Sequence, residues 1–269
     1  MAQLVAPERI PLLLKETLTR CHKVLICLSG GVDSSLLAVC ARSILGAQAA
    51  PAFLGLSPTM IETELEFARG LCNEFGIVLI EQTTEEFSNP DYRRNDAQRC
   101  RYCKRELFRA AGEVAMEMNI RYIADGTISD DVRDYRPGLL VANEMEIIHP
   151  LAEAGMNKED VRRLARKLHI PGWDRPASPC LSSRIAYGVP IKLDDLHLIA
   201  NVESQMRACG FKESRCRIYH DAIRLEVRTQ HIAELITAWN DNKIKVSDPR
   251  SCYVDLEGFV SGKLNRWLV

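Results

Sequence analysis

No stretch of the 269 residues approaches the ~20 consecutive apolar residues that cross a bilayer, and the first residues lack the apolar core of a secretion signal. A cytoplasmic protein with no membrane partner is the expectation. An excess of one charge is also absent. With 35 Lys and Arg against 36 Asp and Glu, the net charge is −1, so no global field recruits nucleic acid and any anion must be held by a local patch. There is no aromatic-basic platform on which bases could stack, so no nucleic-acid partner is expected. The GxxxxGK[ST] phosphate loop, the GxGxxG dinucleotide signature, internal repeats and low-complexity segments are missing as well.

What the sequence does have is cysteine, ten in all. A reducing cytosol keeps thiols free, so metal binding, catalysis or burial come before disulfides. Cys21, Cys27, Cys40 and Cys72 lie in or beside apolar periodic segments and are expected to be small buried hydrophobes. Cys209, Cys216 and Cys252 are scattered singly, and structural roles are expected for them too. Cys100, Cys103 and Cys180 stand in different surroundings.

The organising stretch is Ser29-Gly30-Gly31-Val32-Asp33-Ser34-Ser35. It follows the apolar run 23–28, short enough for a buried strand, and opens an amphipathic segment with Leu36, Leu37, Val39, Cys40, Ile44 and Leu45. Strand, glycine turn, helix is a phosphate-binding arrangement. The glycines bring backbone N–H groups close to a ligand, and the helix start adds unsatisfied donors and a positive dipole end. This string resembles the PP-loop of the ATP pyrophosphatases, which split ATP between its α and β phosphates. That resemblance implies ATP binding by Ser29, Gly30, Gly31, Asp33, Ser34 and Ser35. Asp33, just inside the helix, suits a Mg²⁺ held on the pyrophosphate.

Residues 7–20 read as a helix, 49–56 as a second strand, a helix starts from Ser57-Pro58 and stops at Gly76, and 77–80 read as a third strand. Residues 121–127 give a fourth strand, and 146–150 a fifth. Strands alternating with helices of this length indicate an α/β fold, a doubly wound parallel sheet. Gly126, Thr127, Asp130, Asp131, Asp134, Tyr135, Arg136, Pro137 and Gly138 would lie at the carboxyl edge of such a sheet, where ligands bind; a solvated acidic loop is the plainer alternative. Asn157 caps a helix through His169, and a proline-rich loop follows over 173–190. Beyond Pro190 the pattern changes to helix, an antiparallel pair over 214–219 and 222–227, helix 231–240, and a strand over 252–256. Two domains are expected, 1–190 and a small α+β domain over 191–269.

Cys100-Arg101-Tyr102-Cys103 is a CxxC among basic residues. Alone it suits a redox pair, half a zinc site or part of an iron-sulfur site. No second CxxC exists; Cys180 would bring the thiolates to three. The block from Arg175 through Pro176, Ala177, Ser178, Pro179, Cys180, Leu181, Ser182, Ser183, Arg184 and Ile185 to Tyr187-Gly188, together with the PP-loop and the 126–138 block, resembles the LarE family. The likeness spans nearly the whole chain.

That resemblance implies an ATP-dependent sulfurtransferase that adenylylates a carboxylate of pyridinium-3,5-biscarboxylic acid mononucleotide and inserts sulfur in nickel-pincer nucleotide biosynthesis. Some members sacrifice the sulfur of the cysteine matching Cys180. Others resemble enzymes in which three cysteines hold a 4Fe-4S cluster carrying the sulfur, and Cys100, Cys103 and Cys180 favour that type here. The resemblance further implies ATP and Mg²⁺, Arg184 on the adenylate phosphate, Arg215 and Arg217 on the substrate phosphate, a sulfide donor and a homo-oligomer, a hexamer built from trimers. Glu203, Glu226 and Glu234 match acidic positions suggested to hold a divalent metal, while residue type alone places them on the surface. The alternatives are a PP-loop tRNA thiolase, against which the charge balance argues, and a non-catalytic ATP or metal carrier.

Overall fold

A computed structural model describes residues 4–132, 137–176 and 178–264. Asp134, Tyr135, Arg136 and Ala177, named above, lie outside the described residues. The chain forms two compact units, residues 1–86 with 100–178, and residues 87–99 with 179–269.

In the first unit β1 (Val24–Cys27), β2 (Ala52–Leu56), β3 (Leu79–Thr83) and β4 (Tyr122–Ala124) make a parallel sheet in the order β3-β2-β1-β4. Alternation along β1 feeds both faces. Val24 and Ile26 join a core with Leu14, Leu36, Val39 and Leu164, while Leu25 and Cys27 join another with Phe53, Phe108 and Val141. The doubly wound α/β expectation is therefore met. The strand order reverses between β1 and β4, so the loops after these two strands flank the switch point.

Local details differ from the sequence reading for identifiable reasons. Pro11 divides the first helix into a 3₁₀ turn, Pro7–Arg9, and a helix, Leu12–Cys21. Ser57 to Met60 forms a hydrogen-bonded turn, and the helix starts only at Glu62. β3 slides to Leu79–Thr83 because the Ile77 N–H is used by the Cys72 carbonyl to close the preceding helix. The expected fifth strand shrinks to a single bridge, Ile148 to Ala124. Glu146 before it has a left-handed φ of 55°, and Pro150 after it starts a helix.

In the second unit β5 (Ser214–Ile218) pairs antiparallel with β6 (Ala222–Val227), which pairs parallel with β7 (Ser251–Val254). The helix Leu193–Ala208 packs on β5 and buries Leu196, Ile199, Val202 and Met206. Residues 87–99 and 179–190 belong to this unit, where the sequence reading drew one boundary at 190. Buried Asn95 is the reason. Its amide donates to the carbonyls of Ala186 and Val189 at 2.9 and 2.8 Å, its own carbonyl accepts from Gly188 N–H at 3.0 Å, and Ile191 N–H donates to the Arg93 carbonyl at 2.8 Å. Such pairings have no periodicity to read. Among the described residues no helix is long and apolar enough to cross a membrane.

Candidate active site

The loop after β1 is shaped by its own hydroxyls. Ser34 Oγ donates to the Gly31 carbonyl and accepts from Ser29 N–H, both at 3.1 Å, while Ser29 Oγ donates to Ser34 Oγ at 3.0 Å. Gly30 has φ +79°, and a Cβ there would lie 2.7 Å from the Glu64 carbonyl oxygen. Gly126, after β4, lies so close that its Cβ would sit 2.6 Å from Ser34 N. Both glycines are thus demanded by close backbone approach at the switch point.

Among the described residues no side chain caps the helix Val32–Leu45. The helix Lys158–Lys167, by contrast, carries a full capping box from Asn157 and Asp160. The first-turn N–H donors beside the glycine loop are left for an anion. Among the described residues Ser35 Oγ, buried in that turn, also has no partner. Across the loop, Lys158 Nζ donates to both oxygens of Asp33 at 2.8 Å each, and Lys158 N–H donates to Asp130 at 2.9 Å. Sequence reasoning missed Lys158, because only the fold carries it 125 positions back to Asp33.

Beside Gly126, Asp125 is buried and accepts from His149 Nδ1 at 2.8 Å, Thr127 N–H at 3.0 Å and Lys104 Nζ at 3.4 Å. Burial pushes its carboxyl up, but His149, Lys104 and Thr127 together outweigh that and hold it well below the usual carboxylate range. Burial works against the Lys104 ammonium, yet Asp125 raises its pKa overall. Lys104 directly follows Cys103. The CxxC opens the helix Arg99–Glu117, so Cys100 and Cys103 are three apart on one face, with Cys100 exposed and Cys103 half-buried. Gly138 packs against the Lys104 stem. The phosphate loop, Asp125 and the CxxC therefore belong to one connected region of the first unit.

The second unit holds Cys180, exposed at the start of a 3₁₀ turn over Leu181–Arg184. Arg184, expected on the adenylate phosphate, is buried in this unit, with Nε and Nη2 each 3.0 Å from a Glu203 oxygen. Arg215 and Arg217 share a face of β5 opposite Glu226 and Arg224 of β6. Arg217 is buried against Glu226 at 2.8 Å. Arg215 is half-buried over the Phe259 ring; burial, then the nearby Arg184, push its pKa down to about 10. An under-compensated guanidinium of this kind suits an anion.

The surface expectation for Glu203 and Glu226 is overturned, since both are buried because each answers a buried arginine. Glu234 is exposed and pairs with His231 at 3.0 Å. Among the described residues no three His, Cys, Asp or Glu side chains gather as a metal site.

Similarity to known proteins agrees with this geometry. Residues 8–124 match the family model for NAD synthase. The chain is 37% identical over 250 residues to an uncharacterised protein of Synechocystis sp., covering 91% of this chain and 93% of the other. It is 30% identical over 247 residues to the pyridinium-3,5-bisthiocarboxylic acid mononucleotide synthase of Lactiplantibacillus plantarum, covering 91% and 89%. Over 160 residues, 55% of this chain, it is 33% identical to one of the subunits of the glutamine-hydrolysing GMP synthase of Archaeoglobus fulgidus, of which 52% is covered.

Proposed function

The chain belongs to the LarE family and is an ATP-dependent sulfurtransferase with a PP-loop, and we propose that its substrate is pyridinium-3,5-biscarboxylic acid mononucleotide. One carboxylate of that nucleotide is adenylylated and then converted to a thiocarboxylate, a step of nickel-pincer nucleotide synthesis. The observation that carries this reading is the continuity, inside one unit, from the phosphate loop through Gly126, Asp125 and Lys104 to Cys103. An ATP-activating loop and soft sulfur ligands share a framework, as a reaction that couples the two requires.

A carboxylate resists sulfur attack because oxide would have to leave. Its oxygen attacks the α-phosphorus of ATP, the bond to the β-phosphate breaks, and pyrophosphate leaves held by the first-turn N–H groups of the helix Val32–Leu45. Gly126 keeps the backbone close enough for that grip. Mg²⁺ fits at Asp33, whose two oxygens already converge on one cation, the Lys158 ammonium; once released, Lys158 meets the phosphates. A sulfur nucleophile then adds to the acyl carbon and AMP leaves. Arg215, with its charge only partly answered, holds the substrate phosphate together with Arg217.

Cys100, Cys103 and Cys180 are assigned as thiolate ligands of a 4Fe-4S cluster. The fit rests on donor chemistry and exposure. Cys100 and Cys103 sit one turn apart on a helix face and Cys180 is exposed, whereas burial pushes the thiols of Cys27, Cys40 and Cys72 up to about 12. When bound, the cluster supplies sulfur in a nucleophilic form. The exposed Cys180 also suits a second reading, in which its own sulfur is sacrificed. A cytoplasmic homo-oligomer, hexameric as the resemblance implies, fed by a sulfide donor, completes the proposal.

The test supplies anaerobically purified protein with ATP, Mg²⁺, the biscarboxylate nucleotide and sulfide. Multiple turnovers that require Cys100 and Cys103 support the cluster form. A single turnover, with the protein losing the mass of H₂S, supports sacrifice of Cys180. Absence of substrate-dependent pyrophosphate release contradicts both.

A further inference from the structure

Two buried ion pairs of the second unit close on one short turn. Arg184 gives Nε and Nη2 to the two oxygens of Glu203, and its Nη1 donates to the Pro179 carbonyl, to the Cys180 carbonyl at 3.1 Å and to Ser183 Oγ at 3.1 Å. Arg217 gives Nε to Glu226 and Nη1 to the Ser183 carbonyl at 3.2 Å. Glu203 Oε1 is fixed further by the Cys216 N–H at 3.2 Å. Residues 178–180 are exposed and have no regular structure, and the Cys180 carbonyl is met by the Ser183 N–H of the following 3₁₀ turn at 2.9 Å. Charge-assisted bonds from Arg184 add to that single turn bond. A guanidinium is buried at high cost unless a carboxylate answers it, so each glutamate is the condition for its arginine to sit against the turn.

We infer that Glu203 and Glu226 are positioning residues that, through Arg184 and Arg217, lock the backbone of the Cys180–Ser183 turn and so the direction of the Cys180 thiol. This assignment replaces a divalent-metal role for these glutamates. Both Glu203 oxygens are already committed to Arg184. Glu226 Oε1 accepts from Arg217 at 2.8 Å, and Glu226 is itself fully buried. The importance of the lock rests on the reading that sulfur passes at Cys180; the lock itself does not.

The experiment is hydrogen exchange on the full-length protein, resolved for peptides covering 179–186, with Arg184→Lys and the double variant Arg184→Gln/Glu203→Gln. Lysine keeps a cation for Glu203 but lacks the fork that spans the carbonyls. The double variant removes both buried charges and leaves neither unpaired, which guards the fold. Amide exchange at Ser183 and Ile185 is expected to rise about tenfold in both, with exchange in Leu193–Ala208 and Ala222–Val227 unchanged. A Mn²⁺ titration of Glu203→Gln is expected to match that of the parent protein. Unchanged exchange at the turn, equal loosening of the whole unit, or loss of a Mn²⁺ site in Glu203→Gln would each overturn the inference. Failure of the parent protein to release pyrophosphate would sink the proposed function and leave this result readable.

Discussion

In the first unit the charged pair on the phosphate loop stays near solvent: the side chains of Asp33 and Lys158 keep 26% and 36% of their exposure. In the second, the Arg184–Glu203 side chains keep 1% and 2%, and the Arg217–Glu226 side chains 6% and 0%. A half-exposed pair contributes about 0–1 kcal/mol and can be traded for a ligand, whereas breaking a buried pair costs about 3–5 kcal/mol. The contrast separates charges open to exchange with a ligand from charges that hold a shape. The cysteines divide along a similar line, with burial raising Cys27 and Cys40 to about 12 while Cys100 and Cys180 face solvent.

The largest expected effect is on the exchangeable side. Asp33→Asn should lower pyrophosphate release about 100- to 1,000-fold, as loss of a residue that would hold the cation answering the developing charge does, with the melting temperature nearly unmoved; a loss under tenfold would remove Asp33 from the reaction. Next comes stability. Glu203→Ala should cost about 3–5 kcal/mol in urea unfolding, and Lys158→Ala under about 1 kcal/mol. Equal costs would erase the distinction between the units. Third, alkylation of the folded, cluster-free protein at pH 8 should modify Cys100 and Cys180 about 100-fold faster than Cys27 or Cys40, read by peptide mass spectrometry.

The smallest effect is a difference in sign with pH. The Asp125 carboxyl is depressed, so its stabilisation is complete above its unfolded pKa of about 3.9 and fades as pH falls through that value toward its folded one. Asp125→Asn should therefore cost about 2 kcal/mol at neutral pH and progressively less below about pH 4. Glu226 is raised by burial, so ionising it in the folded protein costs stability as pH rises above about 4.3. Glu226→Gln removes that titration, so its stability should stay level where the parent protein's falls, at a cost for leaving Arg217 without a carboxylate. Parallel pH profiles for the two variants would contradict the assigned environments.

The glycine loop was legible because strand, turn and helix are contiguous, so seven neighbouring residues, Ser29 to Ser35, carry the whole signal. The doubly wound sheet was legible for the same reason, through alternation of apolar runs. Lys158 was not, since its partner Asp33 is reached only through the packed fold. Nor was the burial of Glu203 and Glu226, because glutamate is ordinarily a surface residue and its burial depends on an arginine brought in from elsewhere. The segment 87–99 joins the second unit through Asn95 hydrogen bonds, which leave no pattern in the chain. The Asp125–His149 contact likewise joins the ends of two segments 24 residues apart.

If this loop activates a substrate carboxylate as an acyl adenylate before sulfur enters, a carboxylate oxygen passes to AMP. The most direct measurement uses pyridinium-3,5-biscarboxylic acid mononucleotide with ¹⁸O in its carboxylates, supplied with ATP, Mg²⁺ and sulfide to the anaerobic protein. AMP carrying one ¹⁸O taken from the carboxylate is expected, together with sulfur in the product. Thiocarboxylate formed alongside unlabelled AMP would contradict it.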